Sequence, residues 1–359
     1  MYHKTRLGTR HKLRGYARLA RAAVLLIVGA TLLAACGSTQ PTSTQAPAKP
    51  RSITVVWQPA GASAFFYANR YDVWKKFGVK VNLIEAQSGP AMFADLASKS
   101  ADVGIMGTTP FIGAVAKGVD LLAVAENNNT STLSGLYVRP SANITSLADL
   151  KGKSVAVTLG SSADVGLHKA LDQAGIPWSS VHVLNLAPAE LLAAYEKGDV
   201  VGAWIWDTWG QKLLASGAHL LTTETKVGLN QPNIFAVRAP FAKAHPGTVA
   251  RFVAALNYSA SKVDGDPRSI AAYFAQVTGI TTPQAMAILN AEHTLTIPNY
   301  LSKSVPISLT NDRIGLAHQL SVADGILVKE GEVAVVSNSV INAHVDPAPA
   351  EAALRIKAS

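Results

Sequence analysis

The segment Ala101–Phe111, with the sequence ADVGIMGTTPF, most constrains the fold of this chain. Its first half is a short apolar run typical of a buried strand, and Gly107 supplies a tight turn after it. Thr108, Thr109 and Pro110 then predict a helix start, because threonine is favoured at the N-cap and proline in the first turn. A helix that begins at the end of a strand presents free backbone N–H groups and the positive end of its dipole. This arrangement predicts an anion site that contains no catalytic residue.

One such turn is an ordinary feature of an α/β protein, but this chain repeats it. A second polar turn stands at Ser161 and Ser162, between a predicted strand and a predicted helix, and a third polar residue, Gln58, follows the first strand. Ligands of parallel α/β sheets bind outside the carboxyl ends of the strands, where all three turns are expected. Two facing helix starts are able to hold an anion with neutral donors alone.

Strands and helices alternate along two stretches of the chain, which polar breaks separate at Asn127–Ser134 and Lys226–Pro232. The alternation predicts two α/β lobes, each with a mostly parallel sheet covered by helices. After the second break, the strand Asn233–Arg238 is expected to return to the first lobe. Beyond Phe241 the pattern is largely helical, and the Ala- and Pro-rich stretch from Asn342 is expected to fray.

Residues 1–35 have the pattern of a signal peptide. They carry seven Lys or Arg residues and no acid, and end in the apolar run Ala22–Ala35, which is short for a membrane-spanning helix. The sequence from Leu33 to Cys36 resembles the bacterial lipobox, and Cys36, the only cysteine, occupies the lipidated position. A plain signal peptide or an uncleaved anchor remains an alternative. Residues 36–50, rich in Pro, Ser and Thr, are predicted to form a flexible linker to the folded part.

Charge and motifs exclude several classes of function. Removing the seven basic residues of the leader from the net charge of +9 leaves +2, so no nucleic-acid partner is expected. The sequence contains no G-x-S-x-G, H-E-x-x-H, Walker or C-x-x-C motif, and its nine histidines show no metal-ligand spacing. We therefore predict no catalytic residue, metal or cofactor.

An ordered series of motifs between Ile53 and Gly279 resembles the substrate-binding proteins of bacterial ABC importers for taurine, alkanesulfonates and nitrate, with the taurine-binding proteins nearest. The motifs are SGPAMFADLASKSADVGIMGTTPF, ITSLADLKGKSVAV, LNLAPAELLAAYEKGDVVGAWIW and VRAPFAKAHPGTV. The resemblance implies a periplasmic-binding-protein-like fold of type II, with two α/β lobes, two crossovers and a helical C-terminal part. The expected division is 51–130 for the first part of lobe 1, 131–230 for lobe 2, 231–341 for the return strand and C-terminal helices of lobe 1, and 342–359 for a tail.

The resemblance also implies which residues contact the ligand. The expected contacts to an anionic head group are Gln58, Thr108, Thr109, Ser161, Ser162 and Trp206, the last as a cleft tryptophan. From the sequence alone, the tryptophans at 204, 206 and 209 are equally explained by core packing, with Trp204 the best candidate for the core.

The other end of the ligand is less well specified. Taurine-binding proteins tend to carry acids for the ammonium group near two places that Ser134 and Asn233 occupy here. Asp207 instead follows Trp206, where the family more often has a small residue. Asp207 is either a displaced partner of an ammonium group or an ordinary helix cap, and in the second case the ligand need carry no amine. We include Asp207 among the expected contacts, because an ammonium group buried without a negative partner is costly. Asn233 is included as a further expected contact.

The resemblance thus implies an exported, monomeric lipoprotein of the bacterial cell envelope, tethered through Cys36 to membrane lipid and facing the periplasm or the outside. It would capture a small anionic or zwitterionic sulfonate, taurine first, and deliver it to the permease subunits of an ABC importer. Alternatives on the same fold are binding of an alkanesulfonate, nitrate or a pyrimidine precursor of thiamine. A third class is an enzyme of riboflavin- or thiamine-precursor synthesis.

Overall fold

The computed structural model describes residues 51–292, 294–303, 308–309, 315–329, 331 and 333–358. These residues belong to one compact unit, and their strands form two five-stranded sheets. The strands are β1 (Arg51–Trp57), β2 (Val79–Glu85), β3 (Val103–Gly107), β4 (Leu121–Asn128), β5 (Gly135–Val138), β6 (Ser154–Val157), β7 (His182–Asn185), β8 (Gly202–Ile205), β9 (His219–Thr223) and β10 (Asn233–Arg238).

The α-helices alternate with these strands and then continue alone toward the C-terminus. They are α1 (Ser63–Arg70), α2 (Val73–Lys76), α3 (Gly89–Ser98), α4 (Thr108–Ala116), α5 (Ser162–Gln173), α6 (Pro188–Lys197), α7 (Asp207–Ala215), α8 (Ala239–Ala244), α9 (Pro246–Ala260), α10 (Pro267–Thr278), α11 (Thr282–Ala291), α12 (Ile297–Tyr300), α13 (Leu316–Lys329), α14 (Asn338–Ala343) and α15 (Ala348–Ala353).

Each lobe contains one sheet, and each sheet is mixed, with four of its five strands running in the same direction, which agrees with the predicted mostly parallel sheets. The strand order is β2-β1-β3-β10-β4 in lobe 1 and β7-β6-β8-β5-β9 in lobe 2. In lobe 1, β10 runs antiparallel to both of its neighbours, and in lobe 2, β5 does the same. The reason is the path of the chain. Each of these strands is entered through a segment that connects the lobes, not through the helical crossover that a parallel neighbour requires.

The central strands, β3 in lobe 1 and β8 in lobe 2, are fully buried and consist of apolar residues and glycine, as burial on both faces requires. Trp204 on β8 has no exposed surface, which confirms its predicted place in the core. Gly166 on α5 makes room for it, since a Cβ atom there would lie 2.6 Å from the indole ring.

Two segments differ from the sequence prediction. Strand β4 continues through Asn127 and Asn128, which the polar composition had placed in the first break. The C-terminal stretch that was expected to fray instead forms α15, whose residues Ala350 and Ala353 are buried. Alanine has a small side chain and high helix propensity, so an alanine-rich segment packs closely once a helix such as α9 offers a surface.

The two α/β lobes, the two connecting segments and the helical C-terminal part agree with the predicted fold class. The signal peptide, the linker and Cys36 lie outside the described residues. Within the part of the chain that the structure describes, no helix has both the length and the apolar character needed to cross a membrane.

Candidate ligand-binding cleft

A cleft lies between the two lobes, with about 420 Å³ of space free of protein atoms, its opening included. Among the described residues, four helices begin at this cleft: α3 and α4 from lobe 1, and α5 and α7 from lobe 2. The lining residues are Gln58, Ala60, Gly89, Gly107, Pro110, Thr130, Ser134, Ser161, Ser162, Trp206, Asp207, Glu224, Gln231 and Asn233.

The starts of α4 and α5 approach each other across the cleft. A Cβ atom built on Gly107, the N-cap of α4, would lie 2.4 Å from the Ser162 hydroxyl. Glycine at 107 therefore permits the close approach of the two helix starts. The backbone N–H groups in the first turn of a helix have no partner within that helix. Two sets of such unpaired donors therefore face the same small space. Their dipoles favour a negative charge there.

Several predicted contact residues keep a polar atom that no described residue satisfies. Gln58 lines the cleft with its buried Oε1 unpaired, and the buried Thr108 Oγ1, in the first turn of α4, is also unpaired. Trp206 lines the cleft as predicted, is 8% exposed, and its indole N–H has no partner in the described part of the protein. Buried polar atoms are almost always hydrogen-bonded, so unpaired atoms at a cleft favour a missing partner such as a ligand.

Other predicted residues already use their side chains within the protein. The Thr109 hydroxyl donates to Gln231 Oε1 at 2.7 Å, and the Ser161 hydroxyl donates to the Thr158 carbonyl at 2.6 Å. The Asn233 amide donates to Asn128 Oδ1 at 3.0 Å. Thr108 and Thr109 are not themselves lining residues, although the neighbouring Gly107 and Pro110 are. The structure therefore brings all eight predicted residues to one region, but not all with a free polar group.

Asp207 is the first residue of α7, and Trp206, not Asp207, is the N-cap. The Asp207 carboxylate is fully buried and accepts hydrogen bonds from the backbone N–H and hydroxyl of Thr208. It also accepts from the Gly61 backbone N–H of lobe 1, at 3.1 and 3.2 Å to its two oxygens. Burial raises the pKa of Asp207, and these hydrogen bonds oppose the rise. The carboxylate thus joins the two lobes, which a simple helix cap would not do.

A second acid, Glu224, lines the cleft and was missed by the sequence analysis. Its side chain is 1% exposed and accepts a hydrogen bond from the Ser134 hydroxyl at 2.5 Å. Burial is the main cause that raises the pKa of Glu224 to about 8, and the negative charge of Asp207 adds to it. The sequence shows only that Glu224 directly follows a predicted strand, whereas its position beside Ser134 depends on the pairing of β9 with β5, which begins immediately after Ser134.

Two more acids are buried without lining the cleft. Glu292 accepts hydrogen bonds from the backbone N–H of Ser63 at 3.0 Å and from its hydroxyl at 2.8 Å. Burial raises the pKa of Glu292 to about 7, with a further contribution from Asp207. Burial also raises the pKa of Glu126 on β4 well above its ordinary value, and neither carboxyl oxygen of Glu126 has a partner among the described residues.

The charge pattern of the cleft is one-sided. Its lining, as far as the structure describes it, includes Asp207 and Glu224 but no lysine, arginine or histidine. The described residues also contain no group of three or more His, Cys, Asp or Glu side chains placed to hold a metal ion. The arrangement fits a small solute whose negative end contacts neutral donors at the helix starts and whose positive end contacts the two acids.

Comparison with known proteins identifies one matching family and several relatives that are named as binding proteins. The model of the NMT1/THI5-like family matches residues 61–270. A Bacillus subtilis (strain 168) protein named as an aliphatic sulfonates-binding protein is 30% identical over 187 residues, which are 52% of this chain and 56% of the relative. The taurine-binding periplasmic protein of Escherichia coli (strain K12) is 28% identical over 203 residues, which are 56% of this chain and 63% of the relative. The chain thus matches less than two thirds of the length of either protein.

Among solved structures, the alkanesulfonate-binding protein of Xanthomonas axonopodis pv. citri, bound to MOPS, superposes with a TM-score of 0.69. The match covers 83% of this chain and 99% of that protein, at 23% sequence identity. At this identity the similarity establishes the fold, and it confirms the predicted periplasmic-binding-protein-like architecture.

The raised pKa values predict that the ligand-free protein loses stability as the pH rises. A glutamate whose pKa is about 8 when folded and near 4.5 when unfolded favours folding most below pH 4.5. This contribution is lost as the pH rises through 8. We expect the free energy of unfolding, from denaturant titrations at pH 5, 7 and 9, to fall with pH. Glu224→Gln should reduce that slope by up to about 1.4 kcal/mol per pH unit.

The exposed Glu351 provides the control, since Glu351→Gln should leave the slope unchanged. Equal slopes for the unmodified protein and for Glu224→Gln would show that Glu224 does not titrate in this way.

Proposed function

The chain belongs to the NMT1/THI5-like family, and on that premise we propose that it is the substrate-binding lipoprotein of an ABC importer for a small sulfonate, taurine or a close relative. In this proposal the ligand binds in the cleft between the lobes and is passed on unchanged to the membrane permease. The observation that carries it is the cleft itself, which combines facing helix starts with two buried acids and no cationic side chain in its described lining.

The helix starts of α4 and α5 supply the proposed site for the sulfonate group. A sulfonate carries one negative charge over three oxygens, and each oxygen accepts hydrogen bonds from backbone N–H groups and hydroxyls. Ser162 and Thr108 are the hydroxyl donors in these two first turns, and Gln58 and Trp206 supply further polar groups at the same cleft. Neutral donors bind an anion without a fixed counter-charge, which suits a protein that must also release its ligand.

Asp207 and Glu224 supply the proposed site for an ammonium group. Both carboxyls line the cleft, both are buried, and the charge of one raises the pKa of the other. Two buried carboxylates without a cation are unfavourable, and a bound ammonium group would remove that cost by ionic contact with both. A plain alkanesulfonate or nitrate would leave the two acids without a positive partner. This difference supports taurine over the other anions.

Export and anchoring complete the proposal. The lipobox-like sequence at Cys36 and the linker after it would tether the binding domain to a bacterial membrane, within reach of a permease. The relatives named above are binding proteins, one of them periplasmic by its name, which supports a place in the cell envelope.

Isothermal titration calorimetry on the full-length protein tests the proposed ligand class. The titrants are taurine, ethanesulfonate, nitrate, sulfate and an aminopyrimidine, in a Tris buffer free of sulfonates. We expect taurine to bind and to bind more tightly than ethanesulfonate. Glu224→Gln should weaken taurine binding by about 10- to 150-fold, since a hydrogen bond to a charged group contributes about 1.5–3 kcal/mol. Ethanesulfonate should lose little.

Glu351→Gln again serves as the matched control. Failure of every sulfonate to bind at millimolar concentration would reject the proposal, and binding of the aminopyrimidine alone would favour the thiamine-precursor alternative. Equal losses for taurine and ethanesulfonate in Glu224→Gln would reject the ammonium site.

Removal of a hydroxyl at either helix start tests the sulfonate site. Thr108→Val and Ser162→Val each remove one donor to a charged group while keeping a side chain of similar size or larger. We expect each to weaken the binding of every sulfonate that binds, with a loss of roughly 1.5–3 kcal/mol measured by the same calorimetry. Thr282→Val, on the exposed first turn of α11, should have no effect. Unchanged affinity in both cleft variants would place the anionic group elsewhere.

Replacement of the only cysteine tests the anchor. In a bacterial host that processes lipoproteins, the unmodified chain should sediment with the membrane fraction and incorporate labelled palmitate. Cys36→Ala should abolish the labelling, because the acyl chains attach through that residue. Labelling that persists in Cys36→Ala would contradict the lipoprotein assignment.

A further inference from the structure

Gln231 lies in the segment that returns the chain from lobe 2 to lobe 1, and its side chain contacts both lobes. Its Nε2 donates a hydrogen bond to the backbone carbonyl of Ser162, in the first turn of α5, at 3.0 Å. Its Oε1 accepts a hydrogen bond from the Thr109 hydroxyl, in the first turn of α4, at 2.7 Å. A single amide group thus connects the two helix starts that face each other across the cleft.

Contacts between the two connecting segments fix the backbone from which the Gln231 side chain extends. The backbone N–H of Gln231 donates to the Ser131 hydroxyl at 3.0 Å, and Ser131 belongs to the other connecting segment. Next to this bond, the side chains of Asn129 and Asn230 also contact each other. Gln231 is 7% exposed, so its hydrogen bonds are shielded from competition with water. The two connecting segments therefore hold the amide in place between the lobes.

The chemistry of the two partners requires an amide at this position. The Ser162 carbonyl is able only to accept a hydrogen bond, so its partner must donate. The Thr109 hydroxyl here acts as a donor, so its partner must accept. Glutamine has one group of each kind about 2 Å apart on one rigid plane. Ionised glutamate is of nearly the same size but has no donor, and would place a negative charge beside the Ser162 carbonyl.

We propose that Gln231 is a positioning residue, which holds the starts of α4 and α5 at the separation at which they bind an anion together. The proposal rests on the function proposed above, because it concerns the same cleft. Its hydrogen bonds exist only when both helix starts are in place, so they add to the stability of the closed arrangement whichever ligand is bound. Loss of Gln231 therefore makes the closed, ligand-bound arrangement less stable relative to the open one, and the affinity of every ligand falls by the same factor.

A uniform effect on different ligands distinguishes positioning from direct contact. If Gln231 acts through the helix starts, taurine and ethanesulfonate lose affinity by the same factor. If it acts as a ligand contact, the loss differs between a ligand with an ammonium group and one without. Because the bonds form on closure, their loss should appear mainly as faster dissociation, while the association rate changes little.

The experiment uses the full-length protein with Gln231→Glu and Gln231→Ala. Calorimetry gives the affinities for taurine and ethanesulfonate, and stopped-flow tryptophan fluorescence gives the rates, with Trp206 in the cleft as reporter. We expect both variants to bind both ligands about 5- to 30-fold more weakly and through faster dissociation, and we expect Gln231→Ala, which adds no charge to the cleft, to weaken both ligands by the same factor. Gln173→Glu is the matched control: its Nε2 donates to the Val227 carbonyl on the lobe 2 side of the return segment, and its affinities should not change.

Thermal unfolding of each variant shows whether a loss of binding reflects a loss of folding. A folded Gln231 variant with unchanged affinities overturns the inference, and so does a loss confined to one of the two ligands. If the unmodified protein binds neither taurine nor ethanesulfonate, the proposed function fails and this inference fails with it. Binding by the unmodified protein together with equal binding by both variants leaves the proposed function intact and rejects the role of Gln231 alone.

Discussion

The arrangement of the lobes depends on the hydrogen bonds that the buried Asp207 carboxylate accepts from the opposite lobe. It belongs to the first turn of a lobe 2 helix, yet it accepts hydrogen bonds from the Gly61 backbone in lobe 1. Glycine leaves room for this contact on the other side, because a Cβ at position 61 would lie 3.2 Å from a carboxylate oxygen and 3.1 Å from the Asn128 and Ile288 side chains, which would then have to shift. The contact brings the first turn of α7 against the turn after β1. The cleft is the space that remains beside this contact.

Much of the fold was predictable because its signals are local. The bounds of β10 and the start of α5 agree with the sequence prediction, since apolar runs and polar residues at helix starts act within a few residues. Helix α4 begins at Thr108, but its N-cap is Gly107 and not the predicted threonine. The direction of β10 was not predictable in this way, since it depends on the edge from which the chain enters the sheet. The place of Asn127 and Asn128 in β4 was not predictable either, because asparagine is rare in strands. It depends on a contact distant in sequence, since Asn128 Nδ2 donates to the Gly61 carbonyl at 2.7 Å.

The candidate site shows the same division between local and non-local information. Thr108, Ser162 and Asp207 each lie in the turn or helix start that follows a strand, so their position in the sequence was enough to propose them. Glu224 was missed because the resemblance to taurine-binding proteins directs attention to Ser134, which has no charge. In the structure, β5 and β9 are paired antiparallel neighbours, and Ser134 donates a hydrogen bond to Glu224. The carboxylate is thus supplied from the adjacent strand, and only strand pairing reveals it.

Protonation of Glu224 explains how the cleft holds two buried acids when no ligand is bound. With its pKa raised to about 8, Glu224 holds a proton near neutral pH when no ligand is present, so the buried pair with Asp207 carries at most one negative charge. Under the proposed function, an ammonium group takes the place of that proton and the pair ionises fully. The sulfonate at the helix starts brings a negative charge that backbone dipoles stabilise without titrating. On binding, the ammonium group therefore replaces the proton of Glu224. In neither state does the cleft hold two buried carboxylates without a positive partner or a proton.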